Sequence, residues 1–109
     1  MKCKLSHFEY DVVLTFGKYS NGNTAIRLIS NDEWQEPIAT ATINLGFEIP
    51  ENEAYIKDYS ENEGMEQFLK DNGFIEDKPL ETVSSNYVMI NKYKLTQKCM
   101  DMIKKERSK

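Results

Sequence analysis

The chain is 109 residues long, 39% hydrophobic and 29% charged, with six tyrosines, five phenylalanines and one tryptophan. That length suits a single core, and that aromatic content excludes a disordered polymer. The net charge is −4 and the longest apolar runs, such as Val12 to Leu14, are very short, far below the roughly 18 residues of a membrane-spanning helix.

The N-terminal Met1-Lys2-Cys3-Lys4-Leu5 is basic, but Ser6, His7, Glu9 and Asp11 follow it in place of the apolar segment of a secretory leader. Cys3 and Cys99 lie near opposite ends and make neither a disulfide-rich scaffold nor a metal knuckle. The expectation is one cytoplasmic domain over residues 1–109 with reduced thiols, a bridge between the two chain ends staying open. Charge is polarised along the sequence. Residues 48–81 hold eleven acids and three bases, whereas residues 82–109 hold two acids and seven bases.

Phe8, Tyr10, Val12, Leu14 and Phe16 alternate with Glu9, Asp11, Val13 and Thr15, the period-2 pattern of a half-buried strand. Gly17 and Ser20-Asn21-Gly22-Asn23 supply turn chemistry, and Thr24 to Ser30 resumes a β-rich run with Ile26 and Leu28 on one face, so the pair reads as a hairpin. Asn31 to Glu36 is polar and turn-like. Pro37 opens a third run, in which Ala39, Ala41, Ile43 and Leu45 alternate with Ile38, Thr40 and Thr42, completing a three-stranded meander. The small alanines leave room for a helix to cover that face.

Gly46 to Glu53 reads as a surface loop and Ala54 to Lys57 as a short strand. Ser60-Glu61-Asn62-Glu63 fits a capping box, which starts a helix at Glu61, while Met65, Phe68 and Leu69 supply its apolar stripe and Gly73-Phe74 its stop. Ile75 to Val83 reads as a connector. Tyr87, Met89, Asn91, Tyr93 and Leu95 then alternate with Val88 and Ile90 in a long strand with apolar groups on both faces. Thr96 caps a last helix from Gln97 to about Glu106, with Leu95 and Met100 spaced as a hydrophobic staple and Cys99, Met102 and Ile103 on its apolar stripe. The expected fold is α+β, an antiparallel sheet of about four to five strands with two helices packed on one face.

Little of this carries recognisable chemistry. His7 is the only histidine, and Cys3 is its nearest candidate partner for a nucleophile and base, with no third residue to orient them. The carboxylate pairs Glu51 with Glu53 and Glu61 with Glu63 are explained by loop solvation and helix starts as readily as by acid-base or metal work. The glycines assemble no phosphate-binding fingerprint. Tyr10, Tyr19, Tyr87 and Tyr93, beside Lys92 and Lys94, would stack bases if exposed and otherwise pack in the core. The expectation is therefore no catalytic residue, no metal, no cofactor and no enzyme.

The most distinctive stretch is Tyr55-Ile56-Lys57-Asp58-Tyr59-Ser60-Glu61-Asn62-Glu63-Gly64-Met65, with two aromatics and three acids at a helix start. Acids spaced along a rigid element imitate a phosphate backbone and occupy a basic channel. Together with Thr15-Phe16-Gly17-Lys18-Tyr19, Gly22-Asn23-Thr24-Ala25-Ile26 and Ala39-Thr40-Ala41-Thr42-Ile43-Asn44-Leu45, it resembles a family of small bacterial proteins of unknown function carried on plasmids, prophages and conjugative elements. The resemblance covers about residues 12–75. It implies a mobile-element accessory role, a class often associated with inhibition of CRISPR nucleases or restriction enzymes, and it supplies no catalytic residue or cofactor.

The leading expectation is a non-enzymatic host-defence inhibitor of anti-CRISPR or anti-restriction type. Its protein-binding surface comprises Glu51, Glu53, Tyr55, Lys57, Asp58, Tyr59, Glu61 and Glu63, and its partner is a defence nuclease or ribonucleoprotein. The alternative is a nucleic-acid-binding module that uses Lys92, Lys94 and Lys98 to Lys109. Either would act as a monomer or small homo-oligomer away from the membrane.

Overall fold

A computed structural model describes residues 1–108. The class is α+β: eight strands form two four-stranded antiparallel sheets, and two α-helices contribute side chains to the core between them. The first sheet is built from β1 (Lys2–Leu5), β2 (Phe8–Lys18), β3 (Thr24–Ser30) and β4 (Pro37–Thr40), in that spatial order. The second has β5 (Thr42–Ile43), β6 (Glu53–Ile56), β7 (Glu81–Ser85) and β8 (Val88–Lys94), in the spatial order β5-β6-β8-β7.

The long hairpin is where the alternation places it. Leu14 pairs with Leu28 and Phe16 with Ile26, and Val12, Leu14, Ile26 and Leu28 point into the core. A bulge between Leu28 and Ile29 shifts the β3–β4 register. β1 is a strand that the basic N-terminus conceals: Cys3 and Leu5 turn inward while Lys2 and Lys4 remain exposed on the edge, where charge discourages further pairing.

The expected third strand is divided at Ala41. Its amide donates to the Ile26 carbonyl of the first sheet at 2.8 Å, and its carbonyl accepts from Lys57 N at 2.8 Å beside the second sheet. One residue thus serves both sheets, and at 0% exposure it has room only for a methyl group. Thr42 completes the switch, its Oγ1 accepting from Ile26 N at 3.2 Å.

The capping box does not form. Ser60 has φ 55 and opens a single 3-10 turn over Ser60–Asn62, and α1 begins only at Met65 and runs to Asp71. The break lets Asn62 bury its amide against the carbonyls of Thr40 (2.7 Å) and Lys57 (3.2 Å). Asp58 takes over the capping, its carboxylate accepting from Gly64 N at 2.7 Å and Glu66 N at 3.3 Å. At the other end the expected stop is present. Gly73 has φ 72, Phe74 N bonds to Leu69 O at 2.8 Å and Gly73 N to Lys70 O at 3.0 Å, the two bonds of a Schellman motif.

The segment Ile75 to Val83 is only partly a connector, because β7 begins within it and pairs with β8 along Glu81–Lys92 through Ser85–Val88. The hairpin turns at Asn86 and Tyr87, both with positive φ (49° and 69°), as a two-residue type I′ turn requires. Tyr87 is therefore a fully exposed turn residue and not a strand member. α2 (Gln97–Arg107) starts where expected, with the Thr96 side chain accepting from Cys99 N at 3.1 Å. Near its end Glu106 Oε2 accepts the Phe16 amide at 2.7 Å, satisfying an edge N–H of β2 that β1 is too short to cover. Among the described residues no helix is long and apolar enough to cross a membrane.

Candidate interaction surface

The acidic segment folds back on itself and on the C-terminal bases. On the face of the second sheet away from the main core, Lys92 bridges Glu53 at 3.0 Å and Glu81 at 3.6 Å. Tyr55, only 2% exposed, donates its phenol hydrogen to Glu81 and makes a T-shaped pair with Phe47 at 5.9 Å between ring centroids. Glu53 holds the Lys92 ammonium above its usual range, and the Tyr55 hydrogen bond, reinforced by Lys92, holds the Glu81 carboxyl below the usual carboxylate range. A second tyrosine–glutamate pair, Tyr93 with Glu66, lies on the core side and is extended by Asn91 Nδ2 at 3.1 Å from the same carboxylate.

The other members of the expected binding set divide by partner. Asp58 caps α1. Lys57 pairs with Glu61 at 2.9 Å, lowering its carboxyl, and lies 5.6 Å from the Tyr59 ring centre. Glu51 meets Arg107 at 3.6 Å. Glu63 is exposed, and among the described residues its carboxylate has no cationic partner. Charge polarised along the sequence is thus partly interleaved in space, because Lys92 and Arg107 return from the basic end to the acidic one.

On the basic side, Lys92 is mostly covered, whereas Lys94, Lys98, Lys104, Lys105 and Arg107 are exposed. Lys98 is held by the Asn72 carbonyl at 2.6 Å and lies 4.8 Å from the Phe74 ring centre. Lys109 lies outside the described residues. Of the four tyrosines considered for base stacking, Tyr93 is buried and Tyr87 is fully exposed, while Tyr10 and Tyr19 are half-buried. His7 is exposed and Cys3 buried, so the fold gives that pair opposite environments. Among the described residues no group of three or more His, Cys, Asp or Glu is placed to hold a metal ion.

Both cysteines are free and belong to the core. Burial pushes the Cys3 thiol up to about 11 and the Cys99 thiol to about 12. Thiol-reactive dye at pH 8 is expected to label neither cysteine in the native chain and both in denaturant, and fast native labelling would contradict their burial. Tyr55 is likewise raised to about 12, by burial and then by Glu81. All three groups bind their protons more tightly when folded, so their contribution is present at neutral pH and fades as pH rises from about 9 toward 12. Urea midpoints are therefore expected to fall across that window, and Tyr55→Phe is expected to flatten its upper part.

Trp34 stands within the polar loop 31–36, outside the acidic segment 48–66 that the charge pattern singles out. It is 73% exposed. The legible signal was that the chain's one tryptophan stands in a stretch without any other apolar residue.

These features define an α+β protein of two antiparallel sheets sharing one core, with a surface on which part of an acidic segment is left unpaired. The chain belongs to the family described as Domain of unknown function (DUF4313), whose model matches residues 13–107. That match includes the C-terminal strand and helix, which the resemblance over residues 12–75 left out. No curated protein and no solved structure matches the chain.

Proposed function

We propose that this chain is a non-enzymatic accessory protein of a bacterial mobile element that binds a defence nuclease or ribonucleoprotein, with its acidic surface set against the partner's basic channel. The observation that supports this reading is the set of exposed acids Glu48, Glu61, Glu63, Glu76 and Asp77, of which only Glu61 has a cationic partner among the described residues. Carboxylates left without internal cations are the ones able to replace nucleic-acid phosphates in a basic groove. Glu51, Glu53 and Asp58 contribute less to that potential, because Arg107, Lys92 and the α1 amides already engage them.

The test is target-DNA cleavage by a panel of purified guide-loaded CRISPR nucleases and by restriction enzymes. The chain is expected to inhibit at least one of them and to co-elute with it, and lysine at positions 48, 61 and 63 is expected to abolish both effects. Inhibition that survives the three reversals removes the acidic surface from the mechanism, and no inhibition across the panel removes the defence role.

The exposure of Lys94, Lys98, Lys104, Lys105 and Arg107 favours a second reading, a nucleic-acid module. Binding to a single-stranded oligonucleotide that weakens steeply with added salt is its signature, and no binding at low ionic strength eliminates it.

A further inference from the structure

The β3–β4 loop presents an aromatic group that the fold itself does not use. Residues 31–36 are all exposed. Asp32 Oδ1 accepts from Ser30 Oγ at 2.9 Å, Trp34 N at 3.0 Å and Gln35 N at 3.1 Å, while Ser30 closes the loop through Glu36. The backbone beneath Trp34 is therefore held before any partner arrives, which lowers the ordering cost of binding. Apolar residues flank the loop in the strand register. Just before the loop, Val13 pairs with Ile29 and Ile29 with Pro37, a row on the outer face of the first sheet, with Val13 and Ile29 half-buried and Pro37 exposed.

Its surroundings select the occupant. Asp32, Glu33 and Glu36 give the loop three negative charges and no positive one. Phosphate backbones and anionic membrane surfaces are repelled there. A second copy docking by the same face would oppose like charges across a two-fold axis. A basic protein surface remains, and tryptophan is the residue type most enriched at the centres of protein interfaces.

We propose that Trp34 is the apolar anchor of a protein-docking surface, entering an apolar slot edged by lysine or arginine on the partner. The proposal rests on the reading of this chain as a binder of basic protein surfaces, and it adds a second, separate contact to the acids of residues 48–63.

The experiment is selection of a displayed random dodecapeptide library on the full chain, followed by titration of synthetic winners. Because Trp34 is the only tryptophan, its emission reports this loop alone. Enriched peptides are expected to combine large apolar residues with lysine or arginine and to shift the emission to shorter wavelength. They are also expected to bind at least about tenfold more weakly to Trp34→Ala and to the double variant Glu33→Lys, Glu36→Lys. An unchanged urea midpoint in these surface variants excludes misfolding as the cause.

Basic peptides that ignore Trp34→Ala but are lost on reversal of Glu48, Glu61 and Glu63 would overturn the Trp34 proposal and leave the broader reading standing. Winners without basic residues, or no winners, would overturn both. Emission changed by a single-stranded DNA 20-mer and by no peptide would also overturn the proposal, assigning the indole to base stacking.

Discussion

Gly64→Ala is expected to be among the most damaging single-methyl substitutions in the chain. Gly64 has φ +107, which L side chains rarely adopt, and a Cβ built there would lie 2.7 Å from the Lys4 carbonyl oxygen. The neighbour is backbone, fixed in turn by the Ser6 N to Glu63 O bond at 2.7 Å that ties β1 to the start of α1. Backbone strain and overpacking each cost about 1 to 3 kcal/mol, so a loss of roughly 3 kcal/mol is expected, equivalent to a Tm drop of about 12 °C or more.

Gly22→Ala separates the two contributions. Gly22 has φ +90 with nothing within 4 Å of the added methyl, so it incurs the strain alone. If urea unfolding places Gly64→Ala within error of Gly22→Ala, β1 and α1 must part without cost, and the close approach does not hold them together.

What the sequence revealed and what it hid follow from the range of the interactions involved. β2, β3 and α2 were legible because period-2 alternation, Thr96 and the Gln97 to Glu106 stripe are local signals, and Gly73 with Phe74 ended α1 for the same reason. β7 was illegible because Glu81-Thr82-Val83-Ser84-Ser85 is a polar edge strand whose identity depends on its partner β8. The break at Ala41 depends on Ile26 and Lys57, and no window around residue 41 contains both. Ser60 followed by Glu63 satisfied a local capping rule, and the burial of Asn62 overrode it. The candidate surface divides similarly. The number of acids was readable, but which of them remained unpaired depended on Lys92 and Arg107, far along the chain.

Asn62 is the residue on which the path between the two sheets converges, and its replacement carries the second large expected effect. It is 2% exposed, and its Nδ2 donates both to Thr40 O, at the end of the first sheet, and to Lys57 O, just beyond β6 of the second. Asn62→Ala removes the shared donor from two carbonyls and leaves a small void, which together cost about 2 to 4 kcal/mol.

Asn62→Asp keeps the shape but replaces the donor with a carboxylate facing two carbonyl oxygens. It is expected to be less stable than the alanine variant at pH 7. Burial and the facing oxygens raise the folded pKa of the new acid above its unfolded value, about 3.9. Its stability is then greatest below that value and is lost as pH rises, so urea midpoints for Asn62→Asp should recover on acidification while those for Asn62→Ala do not. An alanine variant within about 0.5 kcal/mol of the parent chain would mean that water replaces the amide at both carbonyls, and that Asn62 does not hold the two sheets together.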